Sequence, residues 1–123
     1  MKINELTGAA LDWAVANCEC VNYVHKDTDY APNGCTYQRG TFQITGPHYS
    51  KEWSQGGPII ERERIFVKPM LTRQSWRSYV VPESGQGIRG SQYGDTPLIA
   101  AMRCYVASKL GDDIEIPKEL IAE

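Results

Sequence analysis

The strongest constraint on the fold is a helix signal that directly follows a glycine-rich run near the C-terminus. Thr96 is suited to cap this helix, Pro97 to occupy its first position and Gly111 to end it. Between these ends the apolar residues recur at helical spacing, at Leu98, Met102, Tyr105, Val106 and Leu110. The pattern predicts a helix over residues 97–110.

A second helix is predicted near the N-terminus. Thr7 is placed to cap it, and Leu6 with Leu11 would form a hydrophobic staple across the cap. Apolar residues then share one face at spacings of three and four as far as Cys18. We therefore expect a helix over residues 8–18.

Strand signals lie between these two helices. Residues 21–24 form a short β-rich run, and residues 76–81 alternate between two faces. Residues 36–45 also alternate, and they predict a strand with a break near Gly40. Polar turn residues predict a loop over residues 26–34.

The middle and the end of the chain complete the expected architecture. Residues 46–57 are predicted as irregular, Pro58 suits the first position of a short helix, and residues 65–67 are expected to form a strand. Residues 114–116 should be extended, pairing either with a neighbouring subunit or within the chain. Short strands and long connections favour an α+β fold, in which a small, mainly antiparallel sheet packs with two main helices, about 8–18 and 97–110. The length of 123 residues fits one domain, 1–123.

Composition narrows the classes of partner and the compartment. A net charge of −2 gives no general attraction to nucleic acid or to an anionic membrane. No apolar stretch approaches the roughly 20 residues that span a bilayer, and residues 1–5 lack the apolar region of a signal peptide. We therefore predict a cytoplasmic protein with neither a nucleic-acid nor a membrane partner.

The four cysteines are predicted to be free thiols in such a reducing compartment. Cys18 and Cys20 are separated by one residue, whereas zinc sites usually separate paired cysteines by two to four. We therefore predict no metal site, although Cys35, His25 and His48 would supply further ligands on paper. Cys104 lies among apolar helix residues and is interpreted as part of the core.

The glycine-rich run, residues 85–94, contains the letter pattern G-x-G-x-x-G of dinucleotide-binding loops. The following helix begins too late for that motif, and the chain is too short for a doubly wound domain. We therefore exclude a Rossmann fold. Two interpretations remain: a connecting hairpin, and a mobile loop that closes over a ligand at the start of the last helix.

A second segment, residues 53–58, has a similar order of aromatic, polar and glycine residues before a helix signal. Two such segments facing one pocket would allow Trp53 and Tyr93 to stack on a flat ring, Gln55 to bind its polar edge, and arginines to pair with phosphate. The predicted ligand-binding residues are Trp53, Gln55, Gly56, Gly57, Arg89, Gly90, Tyr93, Gly94, Thr96 and Arg103.

Each of these assignments has a structural alternative. Trp53 is equally suited to the core. Arg62 and Arg64 are expected to form an exposed face balanced by neighbouring glutamates at 61 and 63. Arg103 is suited to a boundary position, paired with Asp12 or Glu61. Catalytic residues and a cofactor are not predicted, because His25 and His48 lie near loops without a nucleophile motif.

Three blocks of sequence carry a family resemblance. They span residues 5–16, 53–63 and 95–111, the last reading from Asp95-Thr96-Pro97 to Lys109-Leu110-Gly111. In this order they resemble the NinX-type proteins of tailed phages and prophages, a family of unknown function. The resemblance implies a phage accessory protein that is made inside a bacterium.

From these parts we predict a non-catalytic protein that sequesters a nucleotide-derived host immune signal, such as a cyclic nucleotide or an ADP-ribose derivative. Such a small anionic, nucleotide-like ligand is suited to a pocket within one chain or between the subunits of a homo-oligomer. The alternative is an interaction module that modulates a host or phage enzyme through exposed tyrosines. The candidates for that surface are Tyr23, Tyr30, Tyr37 and Tyr49.

Overall fold

The computed structural model of the protein describes residues 1–20, 23–25, 28–30, 48–71 and 74–121. Within these ranges the helices are Gly8–Glu19 (α1), Trp53–Glu63 (α2), Pro97–Leu110 (α3) and Lys118–Ile121 (α4), after a short 3-10 turn at Ile3–Glu5. The strands are Tyr23–His25 (β1), Thr28–Tyr30 (β2), Phe66–Met70 (β3), Ser75–Val80 (β4) and Arg89–Gly94 (β5). The predicted strand over residues 36–45 lies outside the described residues.

The sheet that organises the fold is antiparallel and has the order β3-β4-β5. A separate antiparallel hairpin joins β1 to β2. Three long helices, the two predicted ones and α2, together with a small antiparallel sheet confirm the predicted α+β class. The prediction of an uninterrupted loop over residues 26–34 is wrong, because Thr28 pairs with His25 and Tyr30 with Tyr23.

Helix α3 forms the centre of the core and packs against both the sheet and the other long helices. On the sheet side, the buried hydroxyl of Ser78 donates a hydrogen bond to the carbonyl oxygen of Ala100 at 2.5 Å. On the helical side, Leu98 and Met102 are almost fully buried. Full burial of such a side chain contributes about 1.5–3 kcal/mol. A helix enclosed in this way is apolar on most of its circumference.

The predicted end signals are confirmed for α3, whereas the predicted side-chain cap of α1 does not form. Thr96 precedes α3, its hydroxyl oxygen accepts from the backbone N–H of Ile99 at 3.1 Å, and Gly111 follows the last turn. Thr7 precedes α1 with extended backbone but makes no side-chain capping hydrogen bond. The backbone at Gly8 is left-handed, with φ of +54°, which departs from the helical geometry that such a cap requires.

Helix α2 corrects the predicted boundary at Pro58. The helix begins at Trp53, so Pro58 lies inside it, where a proline removes one backbone hydrogen bond and costs about 3 kcal/mol. Packing maintains the helix through this position, since Gly56 and Ile59 are buried. The predictions for β3 and β4 are confirmed within one to three residues.

The C-terminal segment pairs within its own chain. Lys2 and Asp113 form an antiparallel bridge, and the N–H of Ile114 donates to the carbonyl oxygen of Met1 at 3.0 Å. The terminal ammonium group lies 2.8 Å from the Asp113 carboxylate. Leu120 on α4 is buried at 2 % exposure, so this segment closes one end of the core.

Candidate functional site

The glycines predicted to approach a ligand are used for contacts between elements. A Cβ atom at Gly94 would lie 2.6 Å from the backbone nitrogen of Ala100, and one at Gly90 would lie 2.8 Å from the carbonyl oxygen of Cys104. These distances are shorter than any tolerated Cβ contact, so glycine allows β5 to lie directly against α3. Of the two interpretations of residues 85–94, the structure agrees with the connecting hairpin, because residues 81–88 join β4 to its antiparallel neighbour β5, which begins at Arg89.

Gly56 has a similar packing role on α2. A Cβ atom at this position would lie 2.5 Å from the carbonyl oxygen of Tyr49 and 2.6 Å from Leu98 Cδ1. Gly57 has more room, since its Cβ would lie 3.9 Å from the nearest atom, Trp53 Cε3. The absence of a side chain at Gly56 therefore allows α2 to pack closely against the start of α3.

Three predicted polar ligands make hydrogen bonds within the protein. The side-chain oxygen of Gln55 accepts from the N–H of His48 at 2.6 Å, and Thr96 caps α3. Arg103 donates to the carbonyl oxygens of Leu6 at 3.0 Å and Tyr93 at 2.6 Å. The predicted pairing of Arg103 with Asp12 or Glu61 is therefore wrong. Burial lowers the pKa of Arg103, while the charge of Asp95 acts in the opposite direction.

Four of the predicted ligand residues are exposed: Trp53, Arg89, Tyr93 and the helix cap Thr96. Trp53 is 55 % exposed at the start of α2, which excludes the core alternative for this residue. Arg89 and Tyr93 lie on β5, so the two glycine-containing segments present their aromatic residues from different elements. Tyr49, one of the tyrosines of the interaction-module alternative, is buried at 4 % exposure and cannot contribute to a surface.

Side chains along β3, β4 and β5 alternate between two faces of the sheet, and we call the face that points away from α3 the outer face. Val67, Ser78 and Gln92 point toward α3 and the core, because the first packs on the buried cluster and the others are buried. Their neighbours in sequence therefore point away from α3. The outer face comprises Phe66, Lys68, Arg77, Tyr79, Ser91 and Tyr93.

The side chains of the outer face form a continuous row. The rings of Phe66 and Tyr79 stack with their centroids 5.1 Å apart and their planes 8° apart. The guanidinium carbon of Arg77 lies 5.3 Å from the centre of the Tyr79 ring, a cation–π distance. Arg77 also donates to the Ser91 hydroxyl at 3.3 Å and lies directly opposite Tyr93 in the register.

The charges of the outer face are uncompensated by acidic residues of the same strands. Lys68 pairs directly with Arg77 across β3 and β4, and the sequences of β3, β4 and β5 contain no aspartate or glutamate. Like charges directly opposite each other destabilise a sheet. An anion placed between these two cations would remove that repulsion. Phe66 and Tyr93, at 51 % and 49 % exposure, provide apolar ring surface beside them.

The chain matches a known protein family over most of its length. The family model described as Bacteriophage P22, NinX matches residues 2–109, which include the whole outer face. The chain belongs to the NinX family. No curated protein matches it. Among its described residues, no helix has the length and apolar character needed to cross a membrane.

Of the outer-face residues, only Tyr93 was named as a ligand candidate from the sequence of this NinX-family chain. Lys68 and Arg77 lie on successive strands of one hairpin, and they become direct neighbours through the strand register. A usable signal was present, because each strand places aromatic and cationic residues at alternate positions, as in Phe66-Val67-Lys68. The alternation of residues 76–81 was recognised, whereas the pairing partner of each position was not.

A buried carboxylate lies elsewhere in this NinX-family protein. Asp12 on α1 is 2 % exposed, and its carboxylate accepts from the backbone N–H of Ser50 at 2.9 Å. The imidazole Nδ1 of His48 lies 3.9 Å from the same carboxylate. Burial raises the pKa of Asp12, and the Ser50 hydrogen bond opposes that shift. These contacts attach residues 48–50 to α1 and leave the carboxylate almost inaccessible to solvent.

An ionic cluster joins the three long helices. Arg62 on α2 donates to the Glu19 carboxylate of α1 at 3.0 Å, and the Tyr105 hydroxyl of α3 donates to the same carboxylate at 2.5 Å. Burial, together with Glu19, raises the pKa of Tyr105 far above its usual range. Glu63 bridges Arg62 and Lys109, with both contacts at 3.0 Å. Arg62 is exposed and contacts Glu63, as predicted, and the structure adds Glu19 of α1 as a partner that the sequence did not indicate.

The described cysteines differ in their bonding state. Cys18 and Cys104 are free, and burial raises the pKa of the first to about 12 and of the second to about 11, so both are poor nucleophiles. Cys20 is disulfide-bonded, which corrects the prediction of a free thiol at this position. Over the described ranges, histidine, cysteine and acidic side chains do not gather into a group able to hold a metal ion.

A groove lies between α1 and the end of α3. It has a volume of about 290 Å³ and is lined by Trp13, Asn17, Leu110, Ile114 and Glu115. Three of these five residues lie beyond residue 109, where the NinX family match ends. The groove therefore belongs partly to the C-terminal segment of this chain, while the outer face belongs to the part shared with the family.

Proposed function

We propose that this NinX-family chain is a phage accessory protein that binds a small, nucleotide-like anion on its outer face. One observation carries the proposal: Lys68 lies directly opposite Arg77, and the strands that hold them contain no acidic residue. Their mutual repulsion is a cost to the free protein that a bound phosphate would offset. This local charge contrasts with the net charge of −2 of the chain.

The exposed rings of Phe66 and Tyr93 on the same outer face support a ligand that carries a flat ring besides its negative charge. Phe66 and Tyr93 are half exposed, although burial of each ring would contribute favourably to stability. A flat heterocycle stacked on such a ring would remove this apolar surface from water. A ligand that combines a heterocycle with phosphate therefore matches both properties, and inorganic phosphate alone matches only one.

The proposed role is sequestration without turnover. A phage benefits when a nucleotide-derived immune signal of its host is bound before it reaches its receptor. Cyclic nucleotides and ADP-ribose derivatives carry the required heterocycle and phosphate. Binding of this kind needs an accessible surface and affinity, and it needs no general acid or base beside the ligand.

The first experiment is a thermal-shift and calorimetric titration with cyclic AMP, cyclic di-AMP and ADP-ribose at low ionic strength, where exposed charges are least screened. A ligand at about 100 times its Kd adds about 2.7 kcal/mol to the free energy of unfolding, which is visible as a rise in Tm. Lys68→Gln and Arg77→Gln should each weaken binding about tenfold or more, because each removes a charge-assisted contact.

Lys118→Gln is the matched control, since it removes the same charge from the exposed surface of α4. Binding should be unchanged in this variant, and the ligand should be recovered intact after the protein is denatured. Absence of binding by all three ligands would contradict the proposal. Loss of binding in Trp53→Ala, with normal binding in Arg77→Gln, would move the site from the outer face to the start of α2.

A further inference from the structure

The geometry points to a ligand with two flat rings joined through phosphate, a dinucleotide, rather than a mononucleotide. This inference rests on the proposed function and specifies its substrate class. Two separate half-exposed rings, Phe66 and Tyr93, lie at opposite ends of the outer-face row. Arg77 lies between them on the central strand β4, and Lys68 lies directly opposite Arg77, two residues along β3 from Phe66.

Tyr79 separates the two available rings. Its ring is stacked on Phe66 at 5.1 Å and also lies 5.3 Å from the guanidinium carbon of Arg77. These contacts engage the Tyr79 ring within the protein, so a ligand ring would find its stacking surface on Phe66 at one end and on Tyr93 at the other. The row therefore has two stacking positions with positive charge in the middle.

The spacing of the two positions exceeds what one heterocycle can cover. Phe66 is on β3 and Tyr93 on β5, so the width of two strand spacings, about 10 Å, separates them across the sheet. Phe66 pairs with Tyr79 and Tyr93 pairs with Arg77, which adds an offset of two residues, about 7 Å along the strands. The backbone positions are thus about 12 Å apart, a distance suited to two rings with a phosphate linkage between them.

The charge pattern favours a small dinucleotide over a longer single strand. Proteins that bind single strands without sequence preference use a positive groove that follows the backbone over several nucleotides. Here the cations of the described strands are Lys68, Arg77 and Arg89, in a chain whose net charge is −2. That number suits one or two phosphates.

The test compares four ligands of one base: AMP, the linear dinucleotide ApA, cyclic di-AMP and the oligonucleotide dA10. A dinucleotide should bind at least about tenfold more tightly than AMP, because stacking of a second base has a substantial energy. Phe66→Leu and Tyr93→Leu should each reduce dinucleotide affinity by about 5- to 100-fold, toward that of AMP. AMP should still bind each single variant through the remaining ring.

Ile121→Ala is a control of similar exposure, since Ile121 is 47 % exposed on α4, and dinucleotide binding should be unaffected. Circular dichroism and Tm should confirm that both ring variants remain folded. If AMP and the dinucleotides bind equally, the dinucleotide inference fails while the proposed function stands. If dA10 binds more tightly than either dinucleotide, the site is for single strands and the inference fails. If none of the four binds, the inference fails, and the proposed function fails with it when cyclic AMP and ADP-ribose do not bind either.

Discussion

At the scale of single residues, glycine in this chain has opposite roles at neighbouring positions. Gly56 lies against Tyr49 and Leu98, whereas a Cβ atom at Gly57 would make only an ordinary contact, at 3.9 Å from Trp53 Cε3. Both belong to the segment in which sequence reasoning predicted ligand contacts. The structure gives a packing reason for a glycine at residue 56, because α2 approaches α3 closely at this position.

We expect Gly56→Ala and Gly57→Ala to change stability in opposite directions. The methyl group at residue 56 would meet a backbone oxygen at 2.5 Å, and such overpacking costs about 1–3 kcal/mol. The methyl group at residue 57 fits, and replacing a helical glycine by alanine adds about 0.5–1 kcal/mol. Urea unfolding of the two variants measures both effects, and equal changes would show that residue 56 is not in contact with α3.

Asp12 makes stability depend on pH in a direction opposite to that of most carboxylates. Its folded-state pKa is raised above 3.8 by burial, so the folded protein holds the proton more tightly than the unfolded chain does. Ionisation of Asp12 therefore lowers the free energy of unfolding as pH rises from about 3.8 through the folded pKa. At pH values above the folded pKa of Asp12, the full loss in the free energy of unfolding persists.

Asp12→Asn tests this sign, because the amide oxygen can still accept from the N–H of Ser50. Relative to the unsubstituted protein, the variant should gain stability as pH increases from 4 to 7. Chemical unfolding at several pH values measures the difference. A relative loss of stability over this interval would mean that His48 and Lys51 outweigh burial and hold the pKa below its usual value.

At the scale of elements, the predicted helix boundaries agree with the structure where the contacts that fix a boundary are local in sequence. Helix α3 was predicted correctly because its cap, first-position proline and terminal glycine lie next to it in the chain. The start of α2 was missed because contacts of Gly56 with Tyr49 and Leu98 override the local preference of Pro58. Local propensity carries no information about such partners.

Strand β5 and the outer face show the same limit. Two alternate residues of β5, Gly90 and Gly94, provide little β propensity, because α3 occupies the space that side chains would need at these positions. Arg89 and Tyr93 were named as ligand residues from the glycine run. Lys68 was not, because its position opposite Arg77 depends on a register that no local pattern encodes.

The contact between α1 and α2 should depend on Arg62. Replacing it by methionine leaves the Glu19 carboxylate, whose side chain is 14 % exposed, without its guanidinium partner. We expect a loss of about 1–2 kcal/mol, moderated by the partial exposure of Arg62. Arg64→Met, an exposed arginine next to the same helix end, should stay within about 0.5 kcal/mol. Equal effects in urea unfolding would contradict a specific Arg62–Glu19 interaction.

At the scale of the whole molecule, the two ends of the described chain are joined. Met1 and Lys2 pair with residues 113–114, and α4 then places Leu120 in the core. This closure lies beyond residue 109, where the family match ends. The N-terminal segment of the family domain therefore depends on contacts with residues outside the matched range.

Leu120→Ala should destabilise the whole protein. Truncation of a buried leucine costs about 2–5 kcal/mol, and the short helix α4 should relax enough to place this site at the lower end. Ile121→Ala, at an exposed neighbouring position, should change the free energy of unfolding by less than about 0.5 kcal/mol. Indistinguishable midpoints in urea would show that α4 is dispensable for the core.

The contact of β5 with α3 has a consequence for how this protein can evolve. The inner positions 90 and 94 leave no room for a side chain, whereas Ser91 and Tyr93 on the same strand face away from α3. Mutation can therefore change the exposed side chains at 91 and 93 while positions 90 and 94 stay under strict steric constraint. A strand divided in this way allows the outer face to diversify while the fold is kept.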